Sequence, residues 1–333
     1  MKNLTISEIA SLANVSKTTV SRVLNNKPDV SGETKERILS IIKQYKFKPN
    51  ALATAISKKH SKIIGLIALQ GTEYIFINPY YLRVLHGITT EINKLGYQLM
   101  FCYAKENEYI DLFNNYMIEG FILLSAGVNH MNLLDEFYEY NIPFVSTTEL
   151  PDNYKSNSVD INNYQGAKMA VEYLLSLGHK RIAFISSFSS LMANKERLKG
   201  YKDAMKEYGV PIDDSLIREG TPTFETGYKT MNSFETLPTA VFACSDMIAI
   251  GAIDAITSKG KKVPEDVSVV GFDDIDLASN FGLTTVQQPI FDKGKNSVKK
   301  LISLIENKKV RVPELPVKVV VRDTTSKLKE STK

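Results

Sequence analysis

The run Val15-Ser16-Lys17-Thr18-Thr19-Val20-Ser21-Arg22-Val23-Leu24-Asn25 decides how the rest of the chain is read. Ser16 suits a helix N-cap, and Val20, Val23 and Leu24 form an inward stripe that leaves Lys17, Thr18, Ser21 and Arg22 on the opposite face. Just upstream, Thr5 and Glu8 have capping-box spacing, and Ile6, Ile9, Ala10 and Ala13 set out a first helix that stops near Leu12. Two helices separated by so short a turn make a helix-turn-helix. Downstream, Ser31 caps a third helix whose apolar stripe is Ile38, Ile41, Ile42 and Tyr45. A core this small does little besides present the second helix. A helix presented in this way meets DNA base edges with its first turns. Lys17 and Thr18 stand there, and Arg22 can reach a guanine bidentately from the next turn. Thr19, Asn25 and the amide groups at the helix start suit phosphates, and Thr5, Ser16 and Ser21 are further DNA-binding candidates. Any three-helix module has a polar outer face, so the combination rather than one residue carries the reading.

Charge agrees with that division. Residues 1–62 hold ten Lys and two Arg against four acids, a net +8, while the remainder holds 29 bases against 33 acids, a net −4. A basic module ahead of a mildly acidic body suits a polyanionic partner, because several phosphate contacts add up where one excess lysine does little. The 333 residues exceed the roughly 100–200 usual for one domain, and 43% hydrophobic with 23% charged residues describes a globular chain. Cys102 and Cys244 are far apart and without clustered histidines, so neither a disulfide framework nor a zinc site is expected, and a reducing cytoplasm is the simpler compartment. Neither an export signal nor a membrane span is expected: residues 1–10 lack an apolar core, and the run near 63–69 is too short to cross a bilayer.

Residues 5–56 resemble the DNA-binding headpiece of the LacI/GalR family of bacterial transcription regulators. The resemblance rests on the quoted run, on Val30-Ser31, and on Pro49-Asn50-Ala51-Leu52-Ala53. It implies that the segment from Pro49 folds into a hinge helix when two subunits sit on an operator, with Asn50, Ala53 and the lever Ile56 at the minor groove. Ile56 stands where the family usually has leucine. Lys58, Lys59 and Lys62 follow, either as phosphate contacts or as a solvated connector.

From Ile63 onward, apolar runs alternate with amphipathic stretches, the rhythm of parallel sheets flanked by helices. Strands are expected at 63–69, 98–103, 120–124, 143–147, 181–186, 239–244 and 267–272. Gly96, Gly178, Gly209 and Gly260 are expected to end helices. The resemblance extends through about Asp323 and implies the full architecture. An all-α helix-turn-helix headpiece (1–48) and a hinge (49–61) precede an α/β, periplasmic-binding-protein-like body of two doubly wound lobes. The first lobe would take 62–160 with 290–320, the second 161–289 with 321–325, and a tail 326–333 comes last. That tail has no heptads, so a dimer is expected rather than a coiled-coil tetramer.

Ligands of open parallel sheets sit beyond the carboxyl ends of strands. Gly271-Phe272-Asp273-Asp274 lies at the end of such a strand, and the family's effector-binding aspartate maps onto Asp273, with Asp274 expected to cap the next segment. The family's effector-binding arginine maps onto Arg197, whose planar fork suits a hydroxyl pair or a carboxylate. In Asn78-Pro79-Tyr80-Tyr81, either Tyr80 or Tyr81 faces the cleft. Ser245 is expected to reach the ligand while Asp246 caps a helix, Asn162 stands where many members have aspartate, and Phe224 supplies a loop aromatic.

His60, His86, His130 and His179 show no metal or triad spacing, and no phosphate loop opens a helix, so no catalytic residue, metal or cofactor is expected. The expectation is a homodimeric repressor on a near-palindromic operator, controlled by a small polar effector, a sugar or sugar derivative. The alternative is a catabolite-control-type regulator whose corepressor is a phosphorylated carrier protein. Its docking surface would include Lys293, Lys295, Lys299 and Lys300, lysines that also suit a solvated helix face.

Overall fold

The computed structural model describes residues 4–47, 61–69, 72–103, 106–115, 117–308, 312–313 and 315–329. The chain divides into two compact units, 1–61 and 62–333.

In the first unit, α1 (Ile6–Leu12), α2 (Lys17–Leu24) and α3 (Gly32–Gln44) start at the expected caps: the Thr5, Ser16 and Ser31 hydroxyls accept N–H groups of Glu8, Thr19 and Thr34. The Thr5–Glu8 capping box is complete. Ile9, Ala10, Ala13, Val20, Val23 and Ile38 are buried together, with Leu24, Ile41 and Ile42 packed against them. Tyr45 departs from the expected stripe. It is the C-cap of α3 and half exposed, because the helix has ended before the ring could turn inward.

The second unit holds two sheets. Strands β1 (Ile63–Ala68), β2 (Gln98–Cys102), β3 (Gly120–Leu124) and β4 (Phe144–Ser146) make a parallel sheet ordered β2-β1-β3-β4. Strands β5 (Ile182–Ser187), β6 (Ile217–Gly220), β7 (Ala240–Ala243), β8 (Ser268–Asp273), β9 (Thr284–Gln287) and β10 (Lys318–Val320) make a sheet ordered β10-β9-β8-β7-β5-β6. It is parallel except at the β9–β10 edge. All seven expected strands are present; β6, β9 and β10 were not expected. Because β10 pairs with β9, the chain has returned to the larger sheet by residue 318, where residues through 320 were expected in the first lobe.

The helices that position the site are α4 (Thr72–Ile77), α5 (Pro79–Lys94), α6 (Glu106–Asn114), α7 (Met131–Glu139), α8 (Asn163–Ser176), α9 (Met192–Glu207), α10 (Phe224–Ser233), α11 (Asp246–Ser258), α12 (Asp276–Asn280) and α13 (Ile290–Ile305). The expected glycine caps take φ values from 68° to 92° at Gly96, Gly178, Gly209 and Gly260, where a side chain would be strained. α13 returns to lie against α5, whose backbones meet through two glycines. A Cβ at Gly87 would stand 2.1 Å from the Phe291 carbonyl oxygen, and one at Gly294 2.1 Å from that of Val84. That close approach fixes the turn of α13 that carries Lys293. The tail is also tied down, for the Leu328 N–H donates to Leu177 O and the His179 ring pairs with Ser326 O. Burial lowers the pKa of that imidazole, as befits a structural group.

Candidate effector cleft and nucleic-acid interface

The carboxyl ends of strands from both sheets converge on one cavity of about 60 Å³. Asn78, Tyr80, Tyr81, Asp160 and Lys293 line it from the smaller-sheet side, and Asn194, Arg197, Ser245 and Asp273 from the larger-sheet side. Its polar groups are held by one another. Arg197 of α9 is buried, donates from Nε to Asn163 Oδ1 (2.9 Å) and from Nη1 to Cys244 O (2.5 Å), and lies 3.6 Å over the Phe272 ring. Asp273 ends β8 and accepts from Gln288 Nε2 (2.6 Å). Burial raises its carboxyl to a pKa of about 6 even though Arg197 pulls the other way.

Lys293 is 1% exposed. Its ammonium reaches Asp160 Oδ1 (2.5 Å) and the Tyr80 hydroxyl (3.0 Å). Burial alone would lower its pKa, but Asp160 and Tyr80 outweigh it and hold the pKa above the ordinary lysine value. The Tyr81 hydroxyl pairs with Ser125, and the Asn78 amide caps α5 through its oxygen while donating to the Pro222 carbonyl from the other side of the cleft (3.3 Å). Two more contacts join the same two halves: Val128 N–H to Ser190 O (3.0 Å) and Arg83 to Asp276 (3.1 Å).

On the headpiece, Lys17, Thr18 and Arg22 are exposed along α2, and Ser21 is half-buried. Thr19 shares its hydroxyl with the Ser16 cap, and Asn25 donates to Ser21 O. Arg22 forms an exposed ion pair with Asp29 (2.7 Å), which solvent screens. Thr5 is an exposed cap. Asn50, Ala53 and Ile56 lie outside the described residues.

A family profile described as bacterial regulatory proteins, lacI family, matches residues 5–50, and one described as a periplasmic binding protein-like domain matches residues 171–325. The HTH-type transcriptional regulator DegA of Bacillus subtilis (strain 168) is 33% identical over 337 residues, 97% of this chain and 98% of that protein. The chain belongs to the lacI family of bacterial regulatory proteins. As a lacI-family member it is a DNA-binding transcription regulator, and its relatives are regulators rather than enzymes. Among solved structures, a lac repressor dimer bound to operator and the anti-inducer ONPF aligns with a TM-score of 0.85 at 26% identity, over 98% of this chain and 100% of that one. A transcriptional regulator CelR–cellobiose complex aligns at 0.72 and 26% identity, over 97% and 100%.

Of the cleft residues expected from the lacI-family likeness, Tyr80, Tyr81, Arg197, Ser245 and Asp273 share the cavity. Asn162 and Phe224 do not line it. Asn162 is the exposed N-cap of α8, accepting the Gln165 N–H, and borders a separate depression. Its chain neighbours face inward instead: Asp160, and Asn163 on Arg197. Phe224, at the first position of α10, is 37% exposed and stacks on Tyr228, and Pro222 stands at the cleft in its place.

Ser245, not Asp246, caps α11. Asp246 is buried and accepts Ile275 N–H and the Thr285 hydroxyl; burial, then Asp273, raises its pKa. Asp274 caps nothing, since its carboxylate is held by Arg322 (2.7 Å) and Gln287 (2.5 Å). Lys293 is the largest departure, a cleft residue instead of a surface lysine. Lys300 is half-buried and donates to Ser158 O. No group of His, Cys, Asp and Glu among the described residues is placed to hold a metal ion, and no helix among them is long and apolar enough to cross a membrane.

Proposed function

We propose that the chain is a homodimeric, cytoplasmic repressor of a near-palindromic operator, and that a small hydroxyl-rich effector, a sugar or sugar derivative, binds in the cleft and alters its grip on DNA. The carrying observation is the convergence of Asp273 and Arg197 with Tyr80 and Asn78 in one buried cavity at the strand ends of both sheets. A carboxylate that accepts, a fork that donates and an aromatic face suit vicinal hydroxyls on a ring. The neighbours that hold cellobiose and an anti-inducer support the same reading.

The headpiece would read bases through Lys17, Thr18 and Arg22 and grip phosphates through Thr5, Ser16, Thr19, Ser21 and Asn25. The segment 49–61, with Asn50, Ala53 and Ile56, would form the hinge. The carrier-protein alternative loses support, because Lys293 is buried and Lys300 is engaged by Ser158, which removes two of the four lysines from its docking face.

Thermal unfolding against a panel of sugars, sugar derivatives and nucleosides tests the effector. A ligand at about 100 times its Kd adds roughly 2.7 kcal/mol and raises the midpoint by a few degrees. The hit should vanish in Asp273→Asn or Arg197→Ala; a hit that survives both would place the effector elsewhere. On the DNA side, Arg22→Ala should cost about 1–3 kcal/mol at the operator and relax the choice at one base. Unchanged affinity and preference would remove Arg22 from the reading surface.

A further inference from the structure

Two acidic and two basic side chains line the cavity: Asp160, Asp273, Arg197 and Lys293. The Lys293–Asp160 pair differs from the other two in that its two charges are paired with each other within the chain. The two side chains are 2% and 6% exposed. Asp160 Oδ1 accepts from Lys293 Nζ (2.5 Å) and from its neighbour's N–H, Ile161 (2.8 Å). Its Oδ2 accepts from Glu149 N–H (2.9 Å) and Asn163 Nδ2 (3.0 Å). Four donors fill the acceptor capacity of a carboxylate. Two of them are backbone groups, so Asp160 cannot swing away without breaking the chain's own turn. It sits on Lys293 where the oxygen of a phosphate or carboxylate would otherwise sit.

We propose that the Lys293–Asp160 pair is a charge filter, an internal counter-ion that makes the cleft accept uncharged polyhydroxy effectors and reject their phosphorylated or carboxylated counterparts. This deepens the effector reading above and rests on it. An anionic group entering beside Lys293 would find the ammonium already neutralised. It would lie against a fixed, buried carboxylate, an arrangement that costs more than its remaining hydrogen bonds return. An uncharged hydroxyl meets no such penalty. It can use the free capacity of Tyr80, Arg197 and Asp273 and leave the pair intact. Discrimination then comes from a built-in repulsion against the wrong ligand as well as attraction for the right one.

Removing the counter-ion should turn the filter into an anion site. In Asp160→Asn the ammonium of Lys293 is released from its carboxylate while the side chain keeps its size. Inorganic phosphate, titrated against chloride at equal ionic strength and read by the unfolding midpoint, should bind this variant at least about tenfold more tightly than wild type. Phosphate on the basic headpiece cancels in that comparison. Adding Lys293→Met to the variant should abolish the gain, whereas a pair that merely braces α13 would show no gain to abolish. Equal phosphate affinity in Asp160→Asn and wild type overturns the filter.

Wild type supplies a second arm that needs no variant to fold. Neutral sugars are titrated beside their phosphates and uronates, and the neutral member of each binding pair should win by at least about tenfold. An anionic member that binds more tightly overturns the proposal. If no member of any pair binds, the sugar reading fails, and the phosphate comparison still decides the filter.

Discussion

Asp273 is held at φ 123°, a conformation that residues with side chains rarely adopt. Such strain costs on the order of 1–3 kcal/mol and persists where surrounding structure fixes it. Here the fixing comes from Gln288, which holds both the carboxylate (2.6 Å) and the Asp273 carbonyl (3.4 Å). The strained turn aims an acid into the cavity, where burial raises its pKa to about 6 against the pull of Arg197. A group raised in the folded state contributes stability that is fully present below its unfolded pKa and lost as pH rises through the folded value. Asp273 alone therefore makes the ligand-free protein less stable as pH climbs from about 4 to about 6.5. Asp246 acts in the same direction and the buried His179 in the opposite one, so the contribution is isolated by subtracting the profile of Asp273→Asn from that of wild type. A flat difference would contradict the raised pKa. Effector hydroxyls that donate to the ionised carboxylate reverse the shift. Binding should then release a proton near pH 6 and weaken as pH falls from about 7.5 to about 5.5, measurable by titration calorimetry in two buffers of different ionisation enthalpy.

Short helices depend on their caps, and α2 has only eight residues and no acid in its first turn to favour the N-terminal dipole. Ser16 supplies the first N–H partner through Thr19 (3.1 Å) and pairs with the Thr19 hydroxyl (2.9 Å). Ser16→Ala should destabilise the headpiece by about 0.5–2 kcal/mol and lower operator affinity while leaving effector binding in the body unchanged. Calorimetry of the full chain and a gel-shift titration check both, and a loss of effector binding would show that the damage is not local. Caps of this kind were legible because an N-cap is local chemistry: Thr5, Ser16 and Ser31 act within three residues of themselves. The long apolar strands were legible for a similar reason. β6 and β9 were not, because Ile217-Arg218-Glu219-Gly220 and Thr284-Thr285-Val286-Gln287 are short and largely polar, and neighbouring strands rather than their own pattern make them strands. Lys293 was illegible for a third reason. A lysine on an amphipathic helix reads as solvated, and its partner lies 133 residues away in sequence. Asn162 and Phe224 failed by register, since a residue or two decides whether a helix start faces the cleft or caps its own backbone.

In the molecule as a whole, the space left in the cleft is small. A cavity of about 60 Å³ is far below the roughly 300 Å³ or more usual for a small-molecule site, so an effector bound there as proposed would require the two halves to part. Gly127 stands beside one of the contacts between those halves, Val128 N–H to Ser190 O. Its φ of −143° and ψ of −175° suit any residue, so an alanine there would carry no backbone strain. Space is the obstacle, because the added Cβ would stand 2.6 Å from Ser190 O and 3.1 Å from Ser190 C. Gly127→Ala should therefore prop the cleft open from the side where Leu191 lines it. An effector that binds the closed form would then have to overcome the clash, and its affinity should fall by about three- to tenfold with the fold intact. Small-angle scattering of the ligand-free variant should report a larger radius of gyration for the body, and calorimetry the weaker binding. If both stayed as in wild type, the Val128–Ser190 contact would not be what holds the halves together, and closure would have to be sought at Asn78–Pro222 or Arg83–Asp276.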